Sequence, residues 1–224
     1  MDESLRVRAL AACRLFAAVP EPDLCRLAAE ATVRRYRRGQ LLFYEGDPAD
    51  ALLVVVDGSL KAVSASPHGE EHLLAVLERG ETVGELTVAD GGPRSATIAA
   101  LTDATVLRIP REIVLGAMER SPRLTRALLV SLAGTIRRLT DDAADLVFLD
   151  VPRRVAKLLL ALPREGADGR IRTRLTQTEL AERVGASRQS LNAALQSFQR
   201  RGWISVDAHE LRLRDEAALR RFVG

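Results

Sequence analysis

Two groups of residues in this 224-residue sequence have types and spacings that could do chemistry. The first is the stretch Gly84-Glu85-Leu86-Thr87-Val88-Ala89-Asp90-Gly91-Gly92-Pro93-Arg94-Ser95-Ala96-Thr97. It is glycine-rich, yet no Gly-Lys-Ser/Thr follows, so it is not the phosphate loop of a nucleotide hydrolase. It sets Glu85 and Arg94 nine residues apart, in a loop expected between strands. An arginine can grip a phosphate with two parallel N–H donors, and Ser95 with nearby backbone N–H groups can complete an anion nest. A glutamate cannot usefully face a phosphate, but it can accept a hydrogen bond from a ribose hydroxyl. One phosphate and one sugar hydroxyl describe a cyclic nucleotide. An Arg–Glu ion pair across a loop is the commoner use of such a spacing, so spacing leaves both readings open.

The second group is residues 176–202. Thr176-Gln177-Thr178-Glu179 is a capping box, a Thr N-cap with Glu three residues on. Leu180, Ala181 and Val184 give the short helix after it an apolar face, Gly185 supplies a turn, and Ser187 caps a second helix over 188–201 that Gly202 ends. Two short helices joined by a glycine-containing turn form a helix-turn-helix. In the second helix Leu191, Leu195 and Phe198 recur at i, i+4, i+7 and should be buried. Arg188, Gln189, Asn192, Gln196, Gln199 and Arg200 occupy the rest of that helix. Arginine and glutamine suit the guanine and adenine edges in the major groove of DNA. Residues 203–206 and 211–213 read as a two-stranded wing around 207–210. A helical hairpin used only for packing is the alternative, and the polar, Arg-led second helix argues against it.

Charge supports the same division of labour. Residues 1–150 hold 18 Lys+Arg and 22 Asp+Glu, a net of −4, whereas residues 151–224 hold 15 and 8, a net of +7. A basic C-terminal module beside an acidic N-terminal one suggests a nucleic-acid reader joined to something that is not one. Other chemistries find little support. Cys13 and Cys25 are too few for a disulfide framework or a four-thiolate site and read as small helix-packing residues. His68 and His72 flank a hairpin turn without a third ligand, and no nucleophile–base pair suggests an enzyme. No run approaches the roughly 20 apolar residues of a membrane helix, and MDESLRVRAL lacks the features of a signal peptide. A cytoplasmic location is expected.

The elements that must position these groups follow from pattern. Residues 5–19 and 22–31 read as two helices broken at Pro20-Glu21-Pro22. From Gly39 to Pro110, apolar or alternating runs at 41–44, 51–56, 60–65, 72–77, 96–100 and 104–109 are separated by turns such as Gly46-Asp47, Asp57-Gly58, Pro67-His68-Gly69 and Arg79-Gly80. Short strands at regular spacing predict a β-barrel or jelly roll. Ser121-Pro122 opens a long helix to about Leu149, in which Leu132, Ile136, Leu139, Ala143 and Leu146 repeat at 4-3-4-3 spacing. That is a dimerising coiled-coil seam or a helix packed on its own domain. Asp150-Val151-Pro152 ends it, a further helix runs over 153–162, and residues 163–170 form a polar loop. The expected class is α+β: a β-roll domain over 1–120, a dimerisation helix and hinge over 121–150, and a winged helix-turn-helix over 151–224.

Over nearly its whole length the chain resembles the CRP/FNR family of bacterial transcription regulators. Gly39, Gly46-Asp47 and Asp57-Gly58 are similar to the family's β-roll turns, Gly84-Glu85-Leu86 with Arg94-Ser95-Ala96 to its phosphate-binding cassette, Phe148-Leu149-Asp150-Val151 to its hinge, and Ala186-Ser187-Arg188-Gln189 to the start of its recognition helix. The resemblance implies a homodimer that binds double-stranded DNA at an inverted repeat under control of a cyclic nucleotide, with RNA polymerase as a further candidate partner. It implies that Glu85 takes the ribose 2′-hydroxyl, that Arg94 and Ser95 take the cyclic phosphate, and that Gly84, Leu86 and Ala96 complete the cassette. It also sets Leu139 and Thr140 beside the base, Thr140 falling where members that bind cyclic AMP read the adenine amino group. Thr176, Gln177, Ser187, Arg188, Gln189, Asn192, Gln196 and Arg200 are the implied DNA contacts. Gln189 and Ala193 depart from a glutamate and an arginine in the family's best-known member, so a different DNA site is expected. Cyclic AMP is the expected ligand and cyclic GMP the alternative. No metal, haem or iron–sulfur cluster is expected, since two cysteines cannot supply the four that the cluster-bearing branch uses. Two further readings stay open: a regulator of the same fold that is ligand-independent or senses another signal, and a cyclic-nucleotide sensor module that regulates a partner protein.

Overall fold

The computed structural model describes the chain except residues 67–70, 166–169, 172, 174, 208 and 209. It forms two compact units, Met1–Arg137 and Arg138–Gly224. The expected loop at Pro67-His68-Gly69, with His68, and the centre of the wing therefore lie outside the described residues.

The first unit opens with α1 (Glu3–Ala11) and α2 (Glu21–Glu30). Asp2 caps α1 by accepting a hydrogen bond from the Leu5 amide. Eight strands follow: β1 (Thr32–Tyr36), β2 (Leu41–Phe43), β3 (Ala51–Asp57), β4 (Leu60–Ala65), β5 (Glu71–Leu77), β6 (Thr82–Val83), β7 (Thr97–Ala100) and β8 (Ala104–Pro110). A short helix, α3 (Glu85–Asp90), sits between β6 and β7, and α4 (Arg111–Arg120) follows β8. The strands form two four-stranded sheets in the orders β1-β8-β3-β6 and β2-β7-β4-β5, with antiparallel pairing throughout. Alternation along β8 shows how the layers are divided. Leu107 and Ile109 pack with α1, α2 and α4, while Ala104 and Val106 pack with Ile98, Leu60 and Ala62 of the second sheet. Successive side chains point to opposite faces of a strand, so one seven-residue segment serves two cores.

The long helix α5 (Pro122–Phe148) begins in this unit, where Leu124 and Leu128 are buried in the helical core and Leu132 packs against it. Its last turns belong to the second unit. That unit continues with α6 (Val151–Ala161), β9 (Arg164–Glu165), β10 (Arg170–Ile171), α7 (Gln177–Arg183), α8 (Arg188–Arg200), β11 (Ile204–Asp207), β12 (Glu210–Leu213) and α9 (Glu216–Val223). Its sheet runs β11-β12-β10-β9. Phe198, Trp203 and Phe222 meet with ring centroids 5.4 to 5.7 Å apart, which ties α8, the wing and α9 together.

Several expectations are corrected. The first helix stops at Ala11 rather than residue 19, because Cys13, Phe16 and Val19 donate to carbonyls three residues back and the segment turns more tightly than an α-helix. The strands begin before Gly39: the arginine-rich run of β1 pairs with β8 from Thr32↔Arg108 to Tyr36↔Ala104. The cassette is not all loop, since Glu85–Asp90 is helical. Helix α4 precedes the long helix, α9 follows the wing, and the polar loop at 163–170 contributes β9 and the first residue of β10 to the wing sheet. At the seam, Leu132 is partly buried against its own unit.

Candidate ligand pocket and nucleic-acid interface

The cassette is built around one arginine. The backbone of Arg94 is fixed by the β2–β3 turn: its amide donates to the Asp47 carbonyl at 3.0 Å and its carbonyl accepts from the Gly46 amide at 2.8 Å. Arg94 as a whole is only 7% exposed. Its Nη1 donates to the Ala51 carbonyl at 3.0 Å, and its Cζ lies 4.2 Å from the centre of the Phe43 ring. Gly84 lies on the same group. It holds φ +102, and a Cβ there would come within 2.6 Å of Arg94 Nη1 and 2.9 Å of the Ala51 carbonyl oxygen. Glycine is thus required both by the left-handed backbone and by the closeness of the Ala51 carbonyl oxygen.

Among the described residues no carboxylate bonds to Arg94, so the ion pair with Glu85 that spacing left open is not formed. Burial holds the Arg94 guanidinium below the usual arginine range, with Asp50 pulling the other way. A charge that has lost hydration and gained, among the described residues, a carbonyl and a ring face is stabilised by an arriving anion. Glu85, the first residue of α3, is half-buried, and its Oε1 accepts a hydrogen bond from the Thr82 hydroxyl. Leu86 and Ser95 are exposed and Ala96 is half-buried against the core between the sheets. The arrangement therefore offers a buried cation for a phosphate and, on a separate helix turn, a carboxylate for a hydroxyl. Phe43, Ala51 and Thr82 escaped sequence reasoning. Phe43 and Ala51 are far from Arg94 in sequence, whereas Thr82 stands three residues before Glu85, a spacing that local pattern could have shown. Leu139 and Thr140 are exposed on the part of α5 that belongs to the second unit.

In the second unit each end of the helix-turn-helix is built by local bonds. The Thr176 hydroxyl accepts from the Glu179 amide at 3.2 Å while the Glu179 carboxylate accepts from the Thr176 amide at 2.9 Å. The Ser187 hydroxyl accepts from the Ser190 amide at 3.1 Å. Leu191, Ala194, Leu195 and Phe198 are buried. Ser187, Arg188, Gln189, Gln196 and Arg200 are exposed, as are Thr176 and Gln177, while Asn192 is half-buried. Arg188 and Gln189 make no side-chain hydrogen bond among the described residues, which leaves their donors and acceptors facing water.

The last turns of α5 are tied to this module. Asp142 takes Arg183 through both oxygens at 3.1 and 3.3 Å, and Asp145 takes Lys157 at 2.6 Å. Arg154 donates to the carbonyls of Leu149, Val184 and Gly185 at 2.9, 2.8 and 3.2 Å, which covers the chain ends of α5 and α7. Gly185, at φ +59, packs so closely on Leu146 that a Cβ would lie 3.2 Å from Leu146 Cδ2.

Comparison with known proteins finds two domain matches, one in each part of the chain. Residues 33–121 match the cyclic nucleotide-binding domain, and residues 153–222 match the Crp-like helix-turn-helix domain. The chain is 34% identical over 217 residues to a CRP-like cAMP-activated global transcriptional regulator of Mycobacterium tuberculosis, covering 95% of this chain and 97% of that one. It is 32% identical to the cyclic AMP receptor protein of Thermus thermophilus, over 83% and 85% of the two chains. A solved structure, the c-di-GMP-responsive global regulator of Xanthomonas campestris, superposes with a TM-score of 0.76 at 26% identity, over 87% and 99% of the two chains. The chain belongs to the CRP/FNR family of transcription regulators. It is a regulator built from a cyclic-nucleotide-binding domain and a DNA-binding helix-turn-helix domain, and not an enzyme.

Proposed function

We propose that this chain is a homodimeric DNA-binding regulator gated by a cyclic mononucleotide, with cyclic AMP favoured. Residues 1–120 would hold the ligand, 121–150 the dimerisation helix and hinge, and 151–224 the DNA-reading module. The observation that carries the ligand assignment is the buried Arg94, whose guanidinium meets no carboxylate partner among the described residues. Arg94, Ser95 and the cassette backbone at Gly84 and Ala96 take the cyclic phosphate, Glu85 takes the ribose 2′-hydroxyl, and Leu86 borders the ligand. Leu139 and Thr140 take the base, with the Thr140 hydroxyl reading the adenine amino group. Cyclic AMP also appears in the names of the Mycobacterium and Thermus relatives. The Xanthomonas relative responds to a cyclic dinucleotide, but a single buried arginine suits one phosphate better than two.

The homodimer rests on the exposed apolar side of α5. Ile136, Leu139 and Leu146 are 64%, 47% and 50% exposed in the single chain, and Leu129 extends their spacing by one step toward the N-terminus. A second copy would cover them through an isologous contact. Two recognition helices would then read an inverted repeat with Thr176, Gln177, Ser187, Arg188, Gln189, Asn192, Gln196 and Arg200. Since α5 runs from one unit into the other, it is the covalent route by which ligand can bias the reading helices. RNA polymerase is the partner such a regulator would act on. No described helix is long and apolar enough to cross a membrane.

Calorimetric titration of the purified protein with cyclic AMP, cyclic GMP and a cyclic dinucleotide tests the ligand assignment. Saturable binding of cyclic AMP, tighter than of the other two, is expected. Failure to bind any of them would leave a regulator of the same fold that answers to another signal.

A further inference from the structure

The ribose-binding carboxylate is held in place by a residue three positions before it. Thr82 is fixed by the sheet, since β6 pairs antiparallel with β3 and sets Thr82 opposite Val54. Gly84 then turns the chain through the left-handed region, and Glu85 begins α3. This brings the Thr82 hydroxyl onto Glu85 Oε1. Glu85 forms no ion pair or other side-chain hydrogen bond among the described residues, so Oε2 retains its accepting capacity.

We propose that Thr82 is a positioning residue for ribose recognition: its hydroxyl holds Glu85 Oε1 so that Oε2 is aimed at the ligand's 2′-hydroxyl. The inference rests on the reading of Glu85 given above. A glutamate has three rotatable bonds, and a ligand that must order it pays that entropy on binding. Thr82 orders the carboxylate beforehand, anchored to a strand rather than to the mobile end of another long side chain. A hydroxyl is also a better partner here than a cation would be. A lysine or arginine at this position would neutralise Glu85 and compete for both oxygens, whereas a single hydroxyl takes one oxygen and leaves the other for the ribose.

Deleting the hydroxyl from either side isolates the effect. Cyclic AMP and 2′-deoxy cyclic AMP are titrated against wild type, Thr82→Val and Thr82→Ser, with thermal unfolding followed for each. Thr82→Val keeps the shape and suits a strand, and Thr82→Ala repeats the test should the valine disturb the fold. Wild type should prefer the ribose ligand. Thr82→Val should lose roughly three- to tenfold of that preference, the range that one net hydrogen bond spans, while affinity for the deoxy ligand changes little. Thr82→Ser should retain the preference. A general structural role would lower affinity for both ligands alike and would overturn the proposal, as would an unchanged preference in Thr82→Val. If wild type itself fails to distinguish the two ligands, the assignment of Glu85 to the ribose falls first, and this inference with it.

Discussion

Arg94 and Arg188 are both assigned to nucleotide chemistry, yet the fold treats them oppositely. Arg94 is buried against a ring, a carbonyl and a glycine, its backbone bonded to the turn at Gly46-Asp47. Arg188 stands exposed at the first position of α8 with no side-chain partner among the described residues. The first has lost its water on folding and is ordered before ligand arrives. The second keeps its water in the free protein. Preorganisation saves the ordering cost that binding otherwise carries, and it restricts the pocket to ligands of one shape. An exposed, unordered arginine can instead sample many phosphates and base edges, as a protein that searches along DNA requires. A small pocket selects one molecule, and a reading face must tolerate many wrong sequences before the right one.

The comparison is most easily broken at the pocket. Arg94→Ala should reduce cyclic-nucleotide affinity by tens- to thousands-fold, on the order of 2–5 kcal/mol, in calorimetry. It should leave the circular dichroism spectrum unchanged, since the guanidinium closes no ion pair among the described residues. The seam comes next. Ile136→Arg with Leu139→Arg should give monomers in analytical ultracentrifugation and weaken binding to a palindromic site, whereas an unchanged dimer mass would remove the basis of the dimer assignment. On the reading face, Arg188→Ala should cost about 1–3 kcal/mol per half-site and relax a guanine preference without altering ligand affinity. Gln189→Glu should shift preference from adenine toward cytosine at one symmetric position in selections from random DNA. The smallest effect is expected at the cap of that helix: Ser187→Ala should lower unfolding free energy by about 1 kcal/mol, read by denaturant titration.

Much of this architecture was legible because its signals are local. The capping box at Thr176 and Glu179, the cap at Ser187, and the buried face of α8 are each set by residues a turn or two apart, and each forms as the pattern implies. The seam was only partly legible. Periodicity marks Leu132 and Ile136 as equivalent, but only the packed fold shows that Leu132 also touches its own core while Ile136 faces outward. Strand β1 was hidden because its arginines lie on an edge strand, where charge is tolerated and alternation is weak. Helix α3 was hidden by length, since six residues give no period. The partners of Arg94 were out of reach for another reason. Phe43 and Ala51 meet it only after the sheets close, and no pattern along the chain records that contact.

The central claim is that one ligand, held by Arg94, controls the DNA affinity of a face assigned to a different domain. The direct measurement is the affinity of the protein for cyclic AMP, with and without saturating operator DNA taken from a random-pool selection, alongside DNA affinity with and without cyclic AMP. Linkage requires the two ratios to be equal. The account predicts that each ligand tightens the other by the same factor, at least about fivefold, and that Arg94→Ala abolishes the effect of cyclic AMP on DNA binding. Ligand affinity that is the same with and without DNA would contradict it.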